Sequence, residues 1–135
     1  MPTALLDTNA VSDQVRGYQP IRTRVVQYAD PIVTSAIVVG EIVFGLKRLP
    51  PGKKRTDLES KAEGILAALP IEQVTEKTAR EYGSLRVSLE RQGLVVDDND
   101  LWIAATVLTL GSHVLVTRDR VFRQIPGLQV VDWRV

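Results

Sequence analysis

Short apolar runs ending in turn chemistry recur along this 135-residue chain as Ala4-Leu5-Leu6, Ile32-Val33, Ile71 to Val74, Val114-Leu115-Val116 and Leu128 to Val131. Their brevity predicts five strands. Between them lie stretches of helical period: 36–47 after a Ser35 cap, 57–69 after Thr56 with Glu59 three residues on, 76–92 after Thr75, and 99–110. Gly93 and Gly111 fall where helices end in a left-handed residue. Lys47 to Arg55 reads KRLPPGKKR, and Pro50-Pro51-Gly52 cannot continue a helix, so this segment is expected to be a loop between two helices. Strands separated by helices of such length need crossovers, and crossovers make a parallel sheet covered on both faces. The expected fold class is α/β, in a single domain spanning 1–135.

Composition narrows the chemistry. The chain is 44% hydrophobic and 24% charged, which suits a folded domain with its own core rather than a disordered segment. It has no cysteine and one histidine, which excludes disulfide staples, thiolate zinc sites and a cysteine nucleophile. The N-terminus carries an acid where an export signal would want a basic region and a long apolar core. The longest uncharged run, Leu101 to Thr117, falls short of a membrane span and contains Thr106, Thr109, Gly111, Ser112 and His113. A soluble cytoplasmic protein with no membrane contact is expected.

Four acids stand in otherwise apolar surroundings. Asp7 follows Ala4-Leu5-Leu6 and so marks the carboxyl end of the first strand, the edge where open α/β sheets bind ligands; it could equally cap the next turn. Glu41 is the only charged residue between Pro31 and Leu46. On a helix it shares a face with Ile37, Val38, Phe44 and Gly45, where an ionised carboxylate is costly without a compensating cation or donors; the alternative is a Glu at the stripe's edge, reaching solvent. Asp97, Asp98 and Asp100 precede Leu101-Trp102-Ile103-Ala104-Ala105, where acids suit a first helical turn. We assign Asp98 or Asn99 to the cap and Asp100 to the site, because Asp100 is aligned with Ile103, Ala104 and Val107; Asp97 or Asp98 could take its place. Asp119 follows Val114 to Arg118 at another strand end, with a cap ahead of Val121-Phe122 as its plainer role.

Four carboxylates converging in one crevice would raise one another's pKa unless cations sit among them. An oxygen-only donor set favours Mg²⁺, or Mn²⁺, over zinc or copper, and such ions commonly serve phosphoryl chemistry. Setting these four aside from the 16 acids leaves 12 against 17 basic residues. The net charge of +1 therefore covers an acidic pocket in a mildly basic body, which suits a polyanionic substrate.

The ordered set Leu5-Leu6-Asp7-Thr8-Asn9, Thr34-Ser35-Ala36-Ile37-Val38-Val39-Gly40-Glu41, Asn99-Asp100-Leu101-Trp102-Ile103-Ala104-Ala105 and Leu115-Val116-Thr117-Arg118-Asp119 resembles the PIN-domain ribonucleases, in particular the VapC-type toxins of toxin–antitoxin pairs. The likeness runs nearly end to end, closing with Ile125-Pro126-Gly127-Leu128 and Val131-Asp132-Trp133. It implies a three-layer α/β/α fold with a five-stranded parallel sheet, the strands ending at Asp7 and Asp119 lying side by side. It implies that Asp7, Glu41, Asp100 and Asp119 hold the metal, with Thr8, Asn9 and Thr117 orienting those acids or the bound water and phosphate. It also implies a homodimer and a cognate VapB-type antitoxin whose C-terminal segment covers the acidic groove. One departure from the pattern is Val121-Phe122, where some relatives carry a further acid before the aromatic.

The expected reaction is metal-dependent hydrolysis of an RNA phosphodiester by in-line attack of water. Asp7 is its central ligand, Asp100 and Asp119 complete the coordination, and Glu41 holds a water or helps take its proton. His113, beside Val114, is expected to be structural, so a two-histidine route has no candidates. Lys47, Arg48, Lys53, Lys54 and Arg55, with Arg118, Arg120 and Arg123, are the candidate phosphate contacts, although the loop residues could equally form a solvated turn. Two alternatives remain. An aspartate-nucleophile phosphohydrolase would want a second acid two positions after Asp7, where the chain has Asn9; a non-catalytic module would bind metal or a partner through the same groove.

Overall fold

The computed structural model describes residues 2–135. Its elements are β1 (Thr3–Leu6), α1 (Thr8–Val15), α2 (Gln19–Gln27), β2 (Ile32–Ser35), α3 (Ala36–Lys47), α4 (Lys53–Ala67), β3 (Ile71–Glu72), α5 (Glu76–Arg91), α6 (Asp98–Thr109), β4 (His113–Val116), a 3-10 turn (Arg120–Gln124) and β5 (Val130–Val131). The strands pair in parallel in the order β3-β2-β1-β4-β5. With helices on both faces this is the expected three-layer α/β/α fold.

The chain builds outward from β1 to β2 and β3, then returns to lay β4 and β5 on the other side of β1. The winding therefore reverses between β1 and β4, and the carboxyl ends of strands at such a point are where open α/β sheets bind ligands. Leu6 lies opposite Val116, so Asp7 and Thr117 are the first residues past the paired region.

Burial explains why the central strands read as unbroken apolar runs. Ala4, Leu5, Leu6, Leu115 and Val116 are almost completely buried, as expected for strands covered on both sides. Val11 of α1, Val38 of α3, Leu89 of α5, Ile103 of α6 and Phe122 of the 3-10 turn complete the core. Helices α1, α3 and α4 pack against one another, while α5 packs along α6.

Helix α3 occupies the expected 36–47, and the Ser35 hydroxyl accepts the Val38 N–H at 3.2 Å. Thr75 and Thr78 cap α5 reciprocally. Helices α1 and α2 were not expected. α1 buries only Ala10, Val11 and Val15 among polar residues, and α2 buries only Ile21 behind Pro20, so neither shows a sustained apolar stripe.

The basic loop is shorter than expected. α4 starts at Lys53, not after Thr56, because Gly52 adopts φ 150° at its cap, a conformation open essentially to glycine. The Thr56 hydroxyl donates to the Gly52 carbonyl instead. Lys53, Lys54 and Arg55 thus begin a helix, where the dipole disfavours cations; Glu59 offsets this by pairing with Arg55 at 3.4 Å and Lys47 at 3.8 Å. β3 and β5, at the sheet edges, pair over two residues each, less than the runs at 71–74 and 128–131 suggested.

Candidate active site

Asp7 inherits its place from the sheet. Its main-chain N–H donates to the Val116 carbonyl at 3.0 Å, which continues the β1–β4 ladder by one step. The residue is buried, and although it stands at the cap position of α1 its side chain makes no capping hydrogen bond. Asp7 Oδ2 instead accepts the Thr117 hydroxyl at 2.7 Å and the Asn9 amide at 3.3 Å. The same Asn9 Nδ2 donates to Thr117 Oγ1 at 2.9 Å. The turn after β4 is fastened too: Asp119 N–H donates to Thr117 Oγ1 at 3.1 Å, and Arg118 N–H to Asn9 Oδ1 at 3.3 Å. Beneath them, buried Thr34 donates to the Leu6 carbonyl at 2.7 Å, pinning the end of β1.

Glu41 projects from α3 and is half-buried. Thr8 Oγ1 donates to its Oε1 at 2.5 Å, and Asn99 Nδ2 approaches Oε2 at 3.4 Å. The sequence assigns the cap of α6 to Asp98 or Asn99, but both lie inside the helix. Asp97 holds the cap position of α6, and its side chain makes no cap bond. Asp98 accepts the Tyr82 hydroxyl at 2.5 Å and pairs with Arg86 at 3.4 Å. Asp100 is half-buried.

Electrostatics tie the four acids together. Asp7 is raised from 3.8 to about 6, chiefly by burial; the Thr117 hydroxyl and Thr8 N–H pull it down, while Glu41 and Asp119 push it further up. Asp100 is raised from 3.8 to about 7 by burial and then by the charges of Asp7, Asp119, Glu41 and Asp97. Asp7 and Asp100 are thus each pushed up by acids from other segments, Glu41 and Asp119 among them. Among the described residues, however, no group of three or more His, Cys, Asp or Glu side chains is placed so as to hold a metal ion. The donor chemistry nonetheless fits a hard divalent cation, since the four acids offer oxygen donors only.

The remaining sequence candidates are dispersed. Asp119 accepts the Val121 N–H at 3.0 Å, so its capping role is real and coexists with its proximity to Asp7. Arg118 is engaged with Asp13 at 3.0 and 3.1 Å. Arg120 is exposed at the start of the 3-10 turn, and Lys53 and Lys54 are exposed at the start of α4. His113 opens β4, at the opposite end of the sheet from Asp7. Residues that sequence reasoning passed over are Thr34 and Asp13, both polar groups inside segments whose elements it did not fully resolve.

A groove of about 720 Å³ runs beside Glu41, with Ile37, Phe44, Arg48, Leu49 and Asn99 among its walls. Phe44 is 64% exposed there, with the Arg48 guanidinium 5.1 Å from its ring centre. Among the described residues no helix is long and apolar enough to cross a membrane.

Comparison with known proteins places this geometry in context. The PIN domain family model matches residues 4–128. The VapC ribonuclease Y4jK of Sinorhizobium fredii is 31% identical over 135 residues, covering 95% of each chain. Ribonuclease VapC2 of Rickettsia felis is 31% identical over 76% of this chain and 74% of its own. Among solved structures, VapBC2 of R. felis bound to a promoter DNA fragment matches with a TM-score of 0.88 at 28% identity, covering 97% of this chain and 98% of that one. FitAcB of Neisseria gonorrhoeae matches with a TM-score of 0.84 at 26% identity, over 96% and 97%.

Proposed function

The chain belongs to the PIN-domain family and, within it, to the VapC-type ribonucleases, and on that footing we propose that it hydrolyses RNA phosphodiester bonds with Mg²⁺, or Mn²⁺, held by Asp7, Glu41, Asp100 and Asp119. The observation that carries this reading is the buried Asp7 carboxylate held by Thr117 and Asn9 at the switch point of the sheet, with Asp7 and Asp100 both raised by burial and by neighbouring acids. When bound, the cation supplies charge neutralisation to the phosphoryl oxygens and eases ionisation of the attacking water.

The chain's own groups set the stage for that chemistry. Thr117 and Asn9 hold the Asp7 carboxylate in one orientation, so that ligand geometry does not have to be found during the reaction. Thr8 and Asn99 grip the two oxygens of Glu41. Glu41 then serves to orient a water and to accept its proton at Oε2, the more loosely held oxygen. Asp100 and Asp119, whose charges act on Asp7 or are acted on by it, would complete the ligand set. Asn9 is already bonded to both Asp7 and Thr117 and cannot act as an acid, which counts against a phosphohydrolase with Asp7 as nucleophile.

The partners follow the same reading. Relatives of this fold are solved as VapBC and FitAB assemblies, some of them bound to DNA. We propose that this chain is the toxin of such a pair, a homodimer neutralised by a VapB-type antitoxin. The groove beside Glu41, with exposed Phe44 on its wall, supports a peptide segment as the covering element.

Purified protein tests the reaction. Single-stranded RNA should be cut with Mg²⁺ or Mn²⁺, spared in EDTA, and spared by folded Asp7→Asn. Turnover of a small phosphomonoester with RNA left intact would replace this reading with the phosphohydrolase, and metal binding without either activity would replace it with a binding module.

A further inference from the structure

Asp13 lies on α1 four residues after Asn9, so the two side chains leave the same face of the helix. Both reach Arg118. Asn9 Oδ1 accepts its main-chain N–H at 3.3 Å, and the Asp13 carboxylate receives its guanidinium at 3.0 and 3.1 Å. On either side of Arg118 stand Thr117, which holds Asp7, and Asp119, whose N–H returns to Thr117. We propose that Asp13 is a positioning residue for the site: it fixes the guanidinium of Arg118 while Asn9 fixes its backbone, and together they set the turn that presents Thr117 and Asp119 to Asp7.

The surroundings of the pair support this use. The Asp13 side chain is only 13% exposed, against 44% for Arg118, and both of its carboxylate oxygens meet a single guanidinium nitrogen, Nη1. Charge-assisted hydrogen bonds are stronger than neutral ones. Asp13 also has Arg134 at 3.8 Å, and that guanidinium lies 4.7 Å from the Tyr18 ring centre. Neutralising Asp13 would leave two guanidinium groups side by side without their shared counter-charge. Arg118, a candidate phosphate contact from sequence, is thereby committed to holding the turn.

The catalytic consequence rests on the ribonuclease reading, but the clamp itself does not. The test compares wild type, Asp13→Asn and Asp13→Glu in four measurements: hydrogen exchange at the Arg118 and Asp119 amides, Mn²⁺ affinity by electron paramagnetic resonance, kcat and KM on single-stranded RNA, and Tm. Asp13→Asn should speed exchange at those two amides about tenfold, weaken Mn²⁺ binding about tenfold and lower kcat with little change in KM. Asp13→Glu should restore most of each. Unchanged exchange in Asp13→Asn overturns the clamp, as does a rise in KM at constant kcat, which would make the pair a substrate contact. If Asp13→Asn fails to fold, Arg118→Gln, which removes the charged donor that meets both Asp13 oxygens, should show the same effects, and wild-type behaviour there overturns the proposal. Should wild-type protein leave RNA uncut, the exchange measurement still decides the clamp, and only the ribonuclease reading falls.

Discussion

The Thr117 hydroxyl donates to Asp7 Oδ2 at 2.7 Å across a sequence separation of 110 residues. That bond joins the ends of β1 and β4 at the one place where the sheet reverses its winding. Thr117 is buried and its oxygen also accepts from Asn9 and from the Asp119 N–H, so a single hydroxyl coordinates three parts of the site.

Replacing that hydroxyl should therefore cost more than one hydrogen bond. Thr117→Val keeps the volume but strands Asp7, Asn9 and the Asp119 N–H, and a loss of about 1–3 kcal/mol is expected, together with a severe loss of RNA cleavage. Thr117→Ser, which retains the oxygen, should preserve most of both. Thermal denaturation and an RNA cleavage assay on the two variants check this; equal behaviour would show that the hydroxyl is dispensable.

The raised acids predict an inverted pH dependence for the metal-free protein. Between about pH 4 and 7 the folded chain keeps protons on Asp7 and Asp100 that the unfolded chain has released. Their contribution to stability is thus full below about pH 4 and is lost as pH rises through about 6 and 7. For Asp7 alone, holding the ionised form in the fold costs on the order of 2–3 kcal/mol at neutral pH. In EDTA, Asp7→Asn should melt higher than wild type at pH 8 and at nearly the same temperature at pH 4. Added Mg²⁺ should reverse the order at pH 8, because protons and cation compete for the same carboxylates.

Asp119 carries two roles that substitution can separate. Its Oδ1 caps the 3-10 turn through the Val121 N–H, and its charge raises Asp7 and Asp100. Asn caps nearly as well as Asp, so Asp119→Asn should leave Tm almost unchanged while sharply reducing cleavage. Asp119→Ala should reduce cleavage and also destabilise by about 1 kcal/mol. Wild-type activity in Asp119→Asn would reduce this residue to a cap.

Gly52 offers a control away from the crevice. A Cβ there meets nothing within 4 Å, yet φ is +150°, so Gly52→Ala should destabilise by about 1–2 kcal/mol through backbone strain alone. RNA cleavage per folded molecule should not change. A change in cleavage would connect the start of α4 to the site.

The sheet was legible because its central strands are buried on both faces, which leaves unbroken apolar runs in the sequence. The edges were less so, since β3 and β5 pair over only two residues and their flanking apolar residues belong to connections. Helix α1 was hidden for a functional reason. Its half-buried polar positions Thr8, Asn9 and Asp13 bond Glu41, Asp7 and Arg118, so it lacks the stripe that marks an ordinary amphipathic helix. At the site, isolation in an apolar context picked out Asp7 and Glu41, whereas Asn99 looked like a cap because a polar residue opening a helix usually is one. Its reach to Glu41 depends on how α6 sits beside α3, which no local pattern encodes.

The placement of β4 next to β1 has a consequence for synthesis. The strand that opens the chain must wait for a neighbour that leaves the ribosome after the first 112 residues, so until then one edge of β1 has no native partner and Thr117 is not there to steady Asp7. A fragment that ends before β4 would therefore lack the oriented Asp7 carboxylate on which the proposed cleavage depends.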